Sequence, residues 1–167
     1  LKDALDKSCR ITHTDTRAVA GAIVLATVIR MGLEGSEPAA DVLVNAAIER
    51  SQGFAPEIVR RLKTMRDALR AEPPVAMQQI GVSGFAMEAV PAALYWFLRY
   101  PRKFDEMIVG AANVGGDADA IAAMAGAMFG AYNSLSAIPD KWFAKLENAA
   151  HIRQLGCDLY RLSTPQK

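Results

Sequence analysis

The chain has 167 residues and a formal net charge of +1, with 51% apolar and 22% charged residues. This composition is typical of a globular domain with a hydrophobic core and excludes an intrinsically disordered chain. No basic stripe with interleaved aromatic residues appears, so we expect no nucleic-acid partner. Cys9 and Cys157 are far apart in sequence, which predicts neither a disulfide framework nor a metal-binding pair. A reducing cytoplasm is therefore the expected location.

The first part of the chain predicts a series of helices. The N-terminal stretch LKDALDKSCR has no signal-peptide core. Because the chain lacks a starting Met and opens on a helical pattern, we interpret it as a fragment or a processed product. Apolar periodicity predicts helices over 17–32, 37–51 and 56–70. The second of these presents Val42, Leu43, Ala46 and Ala47, and the third presents Ile58, Leu62, Met65 and Leu69.

The remaining elements are also helical. We expect 71–84 to be a loop, because its prolines and glycines interrupt the pattern. A helix should resume after Gly84, with Pro91 either kinking it or marking a new start. A short helix over 104–115, a segment free of charge and one or two closing helices over 138–162 complete the chain. Since no run alternates strictly enough to indicate a strand, the fold class is all-α, with residues 1–167 as one domain.

The uncharged segment Ala120–Pro139 has almost the length of a bilayer span and contains the pair Gly126 and Gly130 in GxxxG spacing. Its composition disfavours a membrane span, because alanine and glycine dominate and polar residues interrupt it. We therefore expect no membrane partner. A central helix explains the segment better, with a stripe of small residues that allows close packing on all sides. That stripe consists of Ala118, Ala122, Gly126 and Gly130.

Two aspartates, Asp117 and Asp119, stand at the start of this segment, directly after Gly115 and Gly116. One interpretation is structural, with Asp117 as the N-cap and Asp119 in the first helical turn. The other is functional, because paired carboxylates repel unless a cation lies between them, and their oxygens suit Mg²⁺ or Mn²⁺. The two glycines would permit a ligand to approach the backbone closely, which a helix cap does not require.

The sequence resembles the ADP-ribosylglycohydrolases in three places. GGDADAIAAMAGAMFGAYNSLSAIPDKW (115–142) is similar to the family's GGDTDT-type metal motif with its following helix and its IP…W exit. GFAMEAVPAALYWFLRY (84–100) resembles the preceding helix, and ITHTDTRAVAGA (11–22) resembles a THxD stretch. The resemblance covers nearly the whole chain and implies a compact helical fold, of which the chain looks like the C-terminal half.

The resemblance also implies a cofactor and an activity. It implies two Mg²⁺ or Mn²⁺ ions that orient the ribose during metal-assisted hydrolysis of a glycosidic bond, releasing ADP-ribose from a modified acceptor. Asp117 and Asp119 match metal ligands, whereas Ala120 replaces a metal-binding threonine. No segment matches the N-terminal metal ligands or the catalytic acid. The catalytic residue is therefore unknown, and the missing N-terminal half is a candidate partner beside the ADP-ribose-containing substrate.

By the same resemblance, the substrate-binding candidates are His13, Phe85, Asn113, Gly115 and Gly116. From the residues alone, His13 could lie in a capping loop with Thr14 or Asp15 as the N-cap, and Phe85 could be a core residue. The replacement at Ala120 favours an alternative function, a catalytically inactive ADP-ribose-binding or scaffold protein. The acceptor in the cleaved linkage is not specified.

Overall fold

The computed structural model describes residues 2–163, with side chains from Asp3 onward. Every element in this described range is helical, so the all-α prediction is confirmed. The chain divides into two compact units, one ending at Ala137 and the other beginning at Ile138. The first unit contains eight α-helices and a 3₁₀ turn at Leu135–Ala137. These helices are α1 Lys2–Cys9, α2 Thr16–Leu33, α3 Ala40–Ser51, α4 Glu57–Ala68, α5 Pro73–Ile80, α6 Ala86–Arg99, α7 Phe104–Ala112 and α8 Ala118–Asn133.

Helix α2 lies at the centre of the first unit, against α3, α6 and α8. By length and composition alone it could cross a membrane, since its 18 residues have a mean hydropathy of 1.5. Its apolar side chains instead pack inside the bundle, where Val19, Ile23 and Val28 are buried. Burial on several sides explains the apolar composition, because a helix surrounded by others has little need of a polar face.

The prediction of a loop over 71–84 was wrong, because α5 occupies Pro73–Ile80. Both prolines lie in its first turn, where backbone N–H groups have no acceptor within the helix. Gly81 then ends the helix with a φ of +87°. The two prolines therefore mark the start of a helix rather than a loop. Only residues 81–85 form a connection, which leads from α5 to α6.

The predicted buried faces were partly right. In α4, Ile58, Leu62 and Met65 are buried as expected, and Ala68 completes the face. In α3 the buried side chains include Leu43, Val44 and Ala47, whereas Val42 is exposed. The buried face is thus rotated by roughly a quarter turn towards Val44 relative to the predicted one, because an alanine adds too little apolar area to fix the orientation.

Helix α6 contacts α2, α4, α7 and α8, and most of its length is buried. It runs from Ala86 to Arg99 with Pro91 inside it, so this proline does not begin a new helix. Tyr95 and Phe97 are among the largest fully buried side chains of the protein. This helix therefore forms much of the hydrophobic core of the first unit.

Helix α8 extends over 16 residues and ends at Asn133, where Ser134 adopts a φ of +61°. The expectation that it is surrounded on all sides was wrong, because Ala123 and Ala127 are exposed. Its buried face consists of Ile121, Ala125, Met128 and Phe129. The helix packs against α2, α6 and α7 on that face and leaves a strip of alanines uncovered.

The second unit contains α9 Asp140–Phe143 and α10 Ala149–Ser163. No residue in either helix is buried. Helix α10 is amphipathic, and its apolar side chains Ile152, Leu155, Leu159 and Leu162 are all exposed. The prediction of one or two closing helices is confirmed by these two elements.

Candidate functional site

Asp117 occupies the N-cap position of α8, but its side chain does not cap the helix. No N–H of the described first turn donates a capping hydrogen bond to the carboxylate, and the backbone has φ −88° and ψ 49°. Effective N-caps normally use a side-chain oxygen to accept such a bond. Asp117 therefore lies at the expected N-cap position and Asp119 in the first turn, but the expected capping bond is absent among the described residues, which leaves the Asp117 carboxylate available for another ligand.

The loop that carries Asp117 is fixed against the connection between α5 and α6. The Asp117 amide donates a hydrogen bond of 2.8 Å to the carbonyl oxygen of Val82. Gly116 has a φ of +58°, and a Cβ there would collide with the same oxygen. A Cβ on Gly84 would lie 3.6 Å from the Asp117 carboxylate, so the two loops are in close contact. Gly116 therefore has to be glycine for two reasons, its backbone angle and its contact.

Gly115, Asp119 and Ala120 extend the site along the same loop and helix. Gly115 has a φ of +81°, and the space around it is open. Asp119 lies exposed in the first turn of α8, where the partial positive charge of the helix end favours a carboxylate. Ala120 follows it and is half-buried. Its methyl group cannot coordinate a metal.

Phe85 directly precedes α6 and contacts the start of α2. The Arg17 guanidinium carbon lies 5.0 Å from the centre of the Phe85 ring, a cation–π distance. Arg17 in turn pairs with Asp15, at 2.6 Å between Nη2 and Oδ2. Phe85 is half-buried, so the ring is neither a full core residue nor a free surface residue.

Asp15 is the N-cap of α2, one of the two possibilities that the sequence left open. Its Oδ1 accepts a hydrogen bond of 2.8 Å from the Arg17 backbone N–H. Hydrogen bonds from the Arg17 side chain and backbone lower the pKa of the Asp15 carboxyl to about 2. The carboxylate is thereby kept charged, and Arg17 is held in position over Phe85.

His13 precedes this cap and is exposed. Its Nδ1 lies 2.8 Å from the Thr12 hydroxyl, and its backbone N–H donates to the Cys9 carbonyl. Its contacts are thus with its neighbours in sequence, and none of those described joins it to Asp117 or Asp119.

Asn113 directly follows α7 and is exposed. Its side-chain amide donates a hydrogen bond of 2.8 Å to the carbonyl oxygen of Val109. It also borders a cavity of about 590 Å³. The cavity is mainly apolar and is lined by Pro73, Pro74, Met77, Gln78, Val82, Trp96, Gly110, Asn113 and Val114.

The starts of α6 and α8 lie close to each other beside Asp117, and the start of α2 contacts the start of α6. The start of α2 reaches α6 through Arg17 and Phe85, and the start of α6 reaches α8 through Gly84 and Asp117. Each helix start carries partial positive charge, which at α2 is already matched by the capping carboxylate of Asp15. The starts of α6 and α8 are therefore the ends suited to an anionic group, and the Asp119 carboxylate lies in the first turn of α8.

The donor chemistry of Asp117 and Asp119 fits a hard divalent cation, because carboxylate oxygens are the preferred ligands of Mg²⁺. The number of donors is small. Within the described residues, no group of three or more His, Cys, Asp or Glu side chains gathers at one place. The two aspartates can therefore form one side of a metal site, and the other ligands have to come from elsewhere.

Val82 and Arg17, which contact the candidate site residues, were not predicted from the sequence as part of the site. A signal for Arg17 was present, since an aspartate two residues before an arginine at a helix start can both cap and pair. No local pattern indicated Val82, because a backbone carbonyl has no residue-type preference and its partner lies 35 residues away.

The fold and the site define an all-α protein with a pair of acids at the start of an alanine- and glycine-rich helix. The model of the ADP-ribosylglycohydrolase family matches residues 1–167, and the chain belongs to that family. The resemblance seen in the sequence is confirmed.

Three individual relatives share between 27% and 30% sequence identity with the chain. An uncharacterised protein of Archaeoglobus fulgidus is 30% identical over 93% of this chain and 49% of its own length. The ADP-ribosylhydrolase ARH3 of Mus musculus is 27% identical over 93% of this chain and 50% of its own length. The ADP-ribosylarginine hydrolase Tri1 of Pseudomonas putida is 29% identical over 90% of this chain and 37% of its own. The chain thus spans about half the length, or less, of these relatives.

Proposed function

We propose that the protein takes part in metal-assisted hydrolysis of an ADP-ribosyl glycosidic bond. The observation that carries the proposal is the Asp117 carboxylate, which opens α8 without capping it and lies beside Gly84. Family membership supports the reaction class, and the names of ARH3 and Tri1 support ADP-ribosylated substrates. Mg²⁺ or Mn²⁺, when bound, would orient ribose hydroxyls and water.

The residues of this chain would bind and orient rather than transfer a proton. Asp117 and Asp119 would hold the cation from one side, and Gly115 would leave space for the sugar. Phe85 would pack against the ligand, while the starts of α6 and α8 would offset the charge of the diphosphate. The remaining metal ligands and the acid or base would come from a second half of the fold, in the same polypeptide or another. The linkage cleaved, whether to arginine or to another acceptor, would be selected there.

Titration calorimetry on the full-length natural protein tests this proposal. We expect Mg²⁺ or Mn²⁺ and ADP-ribose each to give a saturable heat, and Asp117→Asn to weaken metal binding at least ten-fold. Asp67→Asn, an exposed acid on α4, is the matched control and should leave both titrations unchanged. If neither metal nor ADP-ribose binds the unmodified protein, the proposal is wrong.

A second candidate is a protein that binds ADP-ribose but no longer hydrolyses its bonds. Ala120 favours it, because a threonine oxygen that the family uses is replaced by a methyl group. Ala120→Thr separates the two candidates. A rise in metal affinity together with activity supports the enzyme, whereas binding of ADP-ribose without turnover in either form supports the binding protein.

A further inference from the structure

Glu88, in the first turn of α6, is connected to Asp117 through a short series of contacts. Glu88 Oε2 accepts a hydrogen bond of 2.6 Å from the Ser83 hydroxyl and one of 3.3 Å from the Ser83 N–H. Both bonds belong to the connection 81–85. A carboxylate that accepts two hydrogen bonds from one residue restricts that residue strongly, because charged acceptors form the stronger bonds.

The restricted connection is the one against which the Asp117 loop lies. Val82, next to Ser83, accepts the Asp117 N–H at 2.8 Å. Gly84, on the other side of Ser83, faces the Asp117 carboxylate. The residue that Glu88 binds is therefore placed between the two residues that contact Asp117.

Two glycines make this arrangement possible. Gly81 has a φ of +87°, and a Cβ there would collide with the carboxyl group of Glu88. Gly116 has a φ of +58°, and a Cβ there would collide with the Val82 carbonyl. The backbone thus approaches closely at both ends of the series, so a displacement of Glu88 has little free space to absorb it.

We infer that Glu88 is a positioning residue that sets the place of the Asp117 carboxylate by fixing the connection 81–85. The inference rests on the proposed function, because Asp117 is there a metal ligand. Glu88 itself is not a ligand in this arrangement, since its two carboxylate oxygens face Ser83 and Arg61. The Arg61 contact is the looser of the two, at 3.7 Å.

Amide hydrogen exchange followed by NMR on the full-length natural protein tests the inference without requiring activity. In Glu88→Ala we expect the Asp117 amide to exchange at least ten-fold faster, while amides in the middle of α6 keep their rates. Glu88→Gln keeps an acceptor for Ser83 and should restore most of the protection. Glu72→Ala is the matched control, because it removes an acid that pairs with an arginine, Arg99, at 3.5 Å but has no bond to 81–85.

Ser83→Ala provides a second route to the same result if Glu88→Ala does not fold. It removes the 2.6 Å bond and should also accelerate exchange at Asp117. Unchanged exchange at Asp117 in a folded Glu88→Ala, or in Ser83→Ala when Glu88→Ala does not fold, would overturn the inference. So would a Glu88→Gln protein as perturbed as Glu88→Ala, because charge pairing with Arg61 would then be the cause.

Paramagnetic broadening by Mn²⁺ in the same samples reports on the proposed function separately. In the unmodified protein, broadening centred on 115–119 supports the metal site, and its absence contradicts that site alone. The exchange result stands independently of this outcome, so failure of the positioning inference and failure of the proposed function are distinguishable.

Discussion

Two tyrosines of the first unit differ in whether the buried hydroxyl group has a hydrogen-bond partner. The Tyr95 hydroxyl donates to the Ala71 carbonyl at 3.1 Å, whereas the Tyr132 hydroxyl is buried and has no hydrogen-bond partner among the described residues. An unpaired buried polar group costs about 1–3 kcal/mol, and a typical intramolecular bond contributes about 1 kcal/mol. Removing the hydroxyl by a change from tyrosine to phenylalanine should therefore have opposite effects on the free energy of unfolding at the two positions.

We predict that Tyr132→Phe raises the free energy of unfolding by about 1 kcal/mol and that Tyr95→Phe lowers it by about 1 kcal/mol. Urea denaturation at pH 7 measures the free energy of unfolding of both variants, and each variant serves as the control for the other.

Burial also raises the pKa of Tyr132 to about 12. Because the unfolded state ionises first, stability should fall as the pH rises from about 10 to 12, and Tyr132→Phe should reduce that fall. Equal losses of unfolding free energy in Tyr132→Phe and Tyr95→Phe would contradict the predicted difference between the two hydroxyl groups.

The pair Asp15–Arg17 predicts a carboxyl group with an unusual titration. Arg17 lowers the pKa of Asp15 to about 2. Since this pKa lies below its unfolded value, the stabilisation is present above about pH 4 and is lost as the pH falls towards 2. Carbon-13 NMR of the side-chain carboxyl should show this midpoint, and Arg17→Gln should move it upward to the usual range. A midpoint near 4 in the unmodified protein would show that the pair does not form.

At the scale of elements, the glycine loop before α8 combines two different constraints. Gly115 and Gly116 both have positive φ, but only Gly116 also has a backbone atom in the place of a Cβ. Left-handed backbone costs an ordinary residue about 1–2 kcal/mol. The two neighbours therefore allow the conformational and the steric contributions to be separated.

We predict that Gly115→Ala lowers the free energy of unfolding by about 1–2 kcal/mol, the conformational cost alone. Gly116→Ala should cost distinctly more, because the Val82 carbonyl has to move and its bond to the Asp117 N–H is lost. Chemical denaturation of both variants provides the comparison. Similar losses at the two positions would indicate that the contact with Val82 is not tight.

Helix α8 provides a second test, because its alanines differ in burial. Ala125 is fully buried and Ala127 is exposed. Ala125→Leu should destabilise the protein by about 1–3 kcal/mol through overpacking. Ala127→Leu should change stability by less than about 0.5 kcal/mol. If Ala127→Leu is the more damaging in thermal unfolding, the assignment of the exposed face is wrong.

The elements differ in how well the sequence predicted them. Long apolar periodicity located α2 and α4 to within two residues, because a helix with many buried side chains leaves a strong pattern. Pro73 and Pro74 were misinterpreted, since the same residues favour both a break and a first turn. The acids at 117 and 119 were evident as a pair, but their relation to Val82, Gly84 and Arg17 depends on tertiary contacts that no local pattern encodes.

At the scale of the whole molecule, the core is confined to one part of the chain. Among the residues that the structure describes, the buried apolar side chains all lie before Ala137, and the helices of the second unit have none. A cooperative unfolding transition depends on a shared core. We therefore expect the first unit to account for the cooperative unfolding of the chain.

A chain shortened to residues 1–137 should keep a single cooperative thermal transition and the helical circular dichroism of α1–α8. The physical reason is that the shortening removes no buried side chain. Removal of 1–12 provides the comparison, because it also removes no buried side chain among the described residues but deletes α1, which packs against α2; any loss of stability there would measure that packing alone. A shortened chain 1–137 that unfolds gradually on heating would show that the second unit stabilises the first.

The two tryptophans are distributed one to each unit, and this gives the protein a pair of separate optical reporters. Trp96 is 6% exposed and packs against Gly110, whereas Trp142 is 37% exposed. Indole emission shifts to the red when the ring meets water, so Trp96 should emit at the shorter wavelength. Loss of the blue component would then follow melting of the first unit, while the red component would respond to changes around α9.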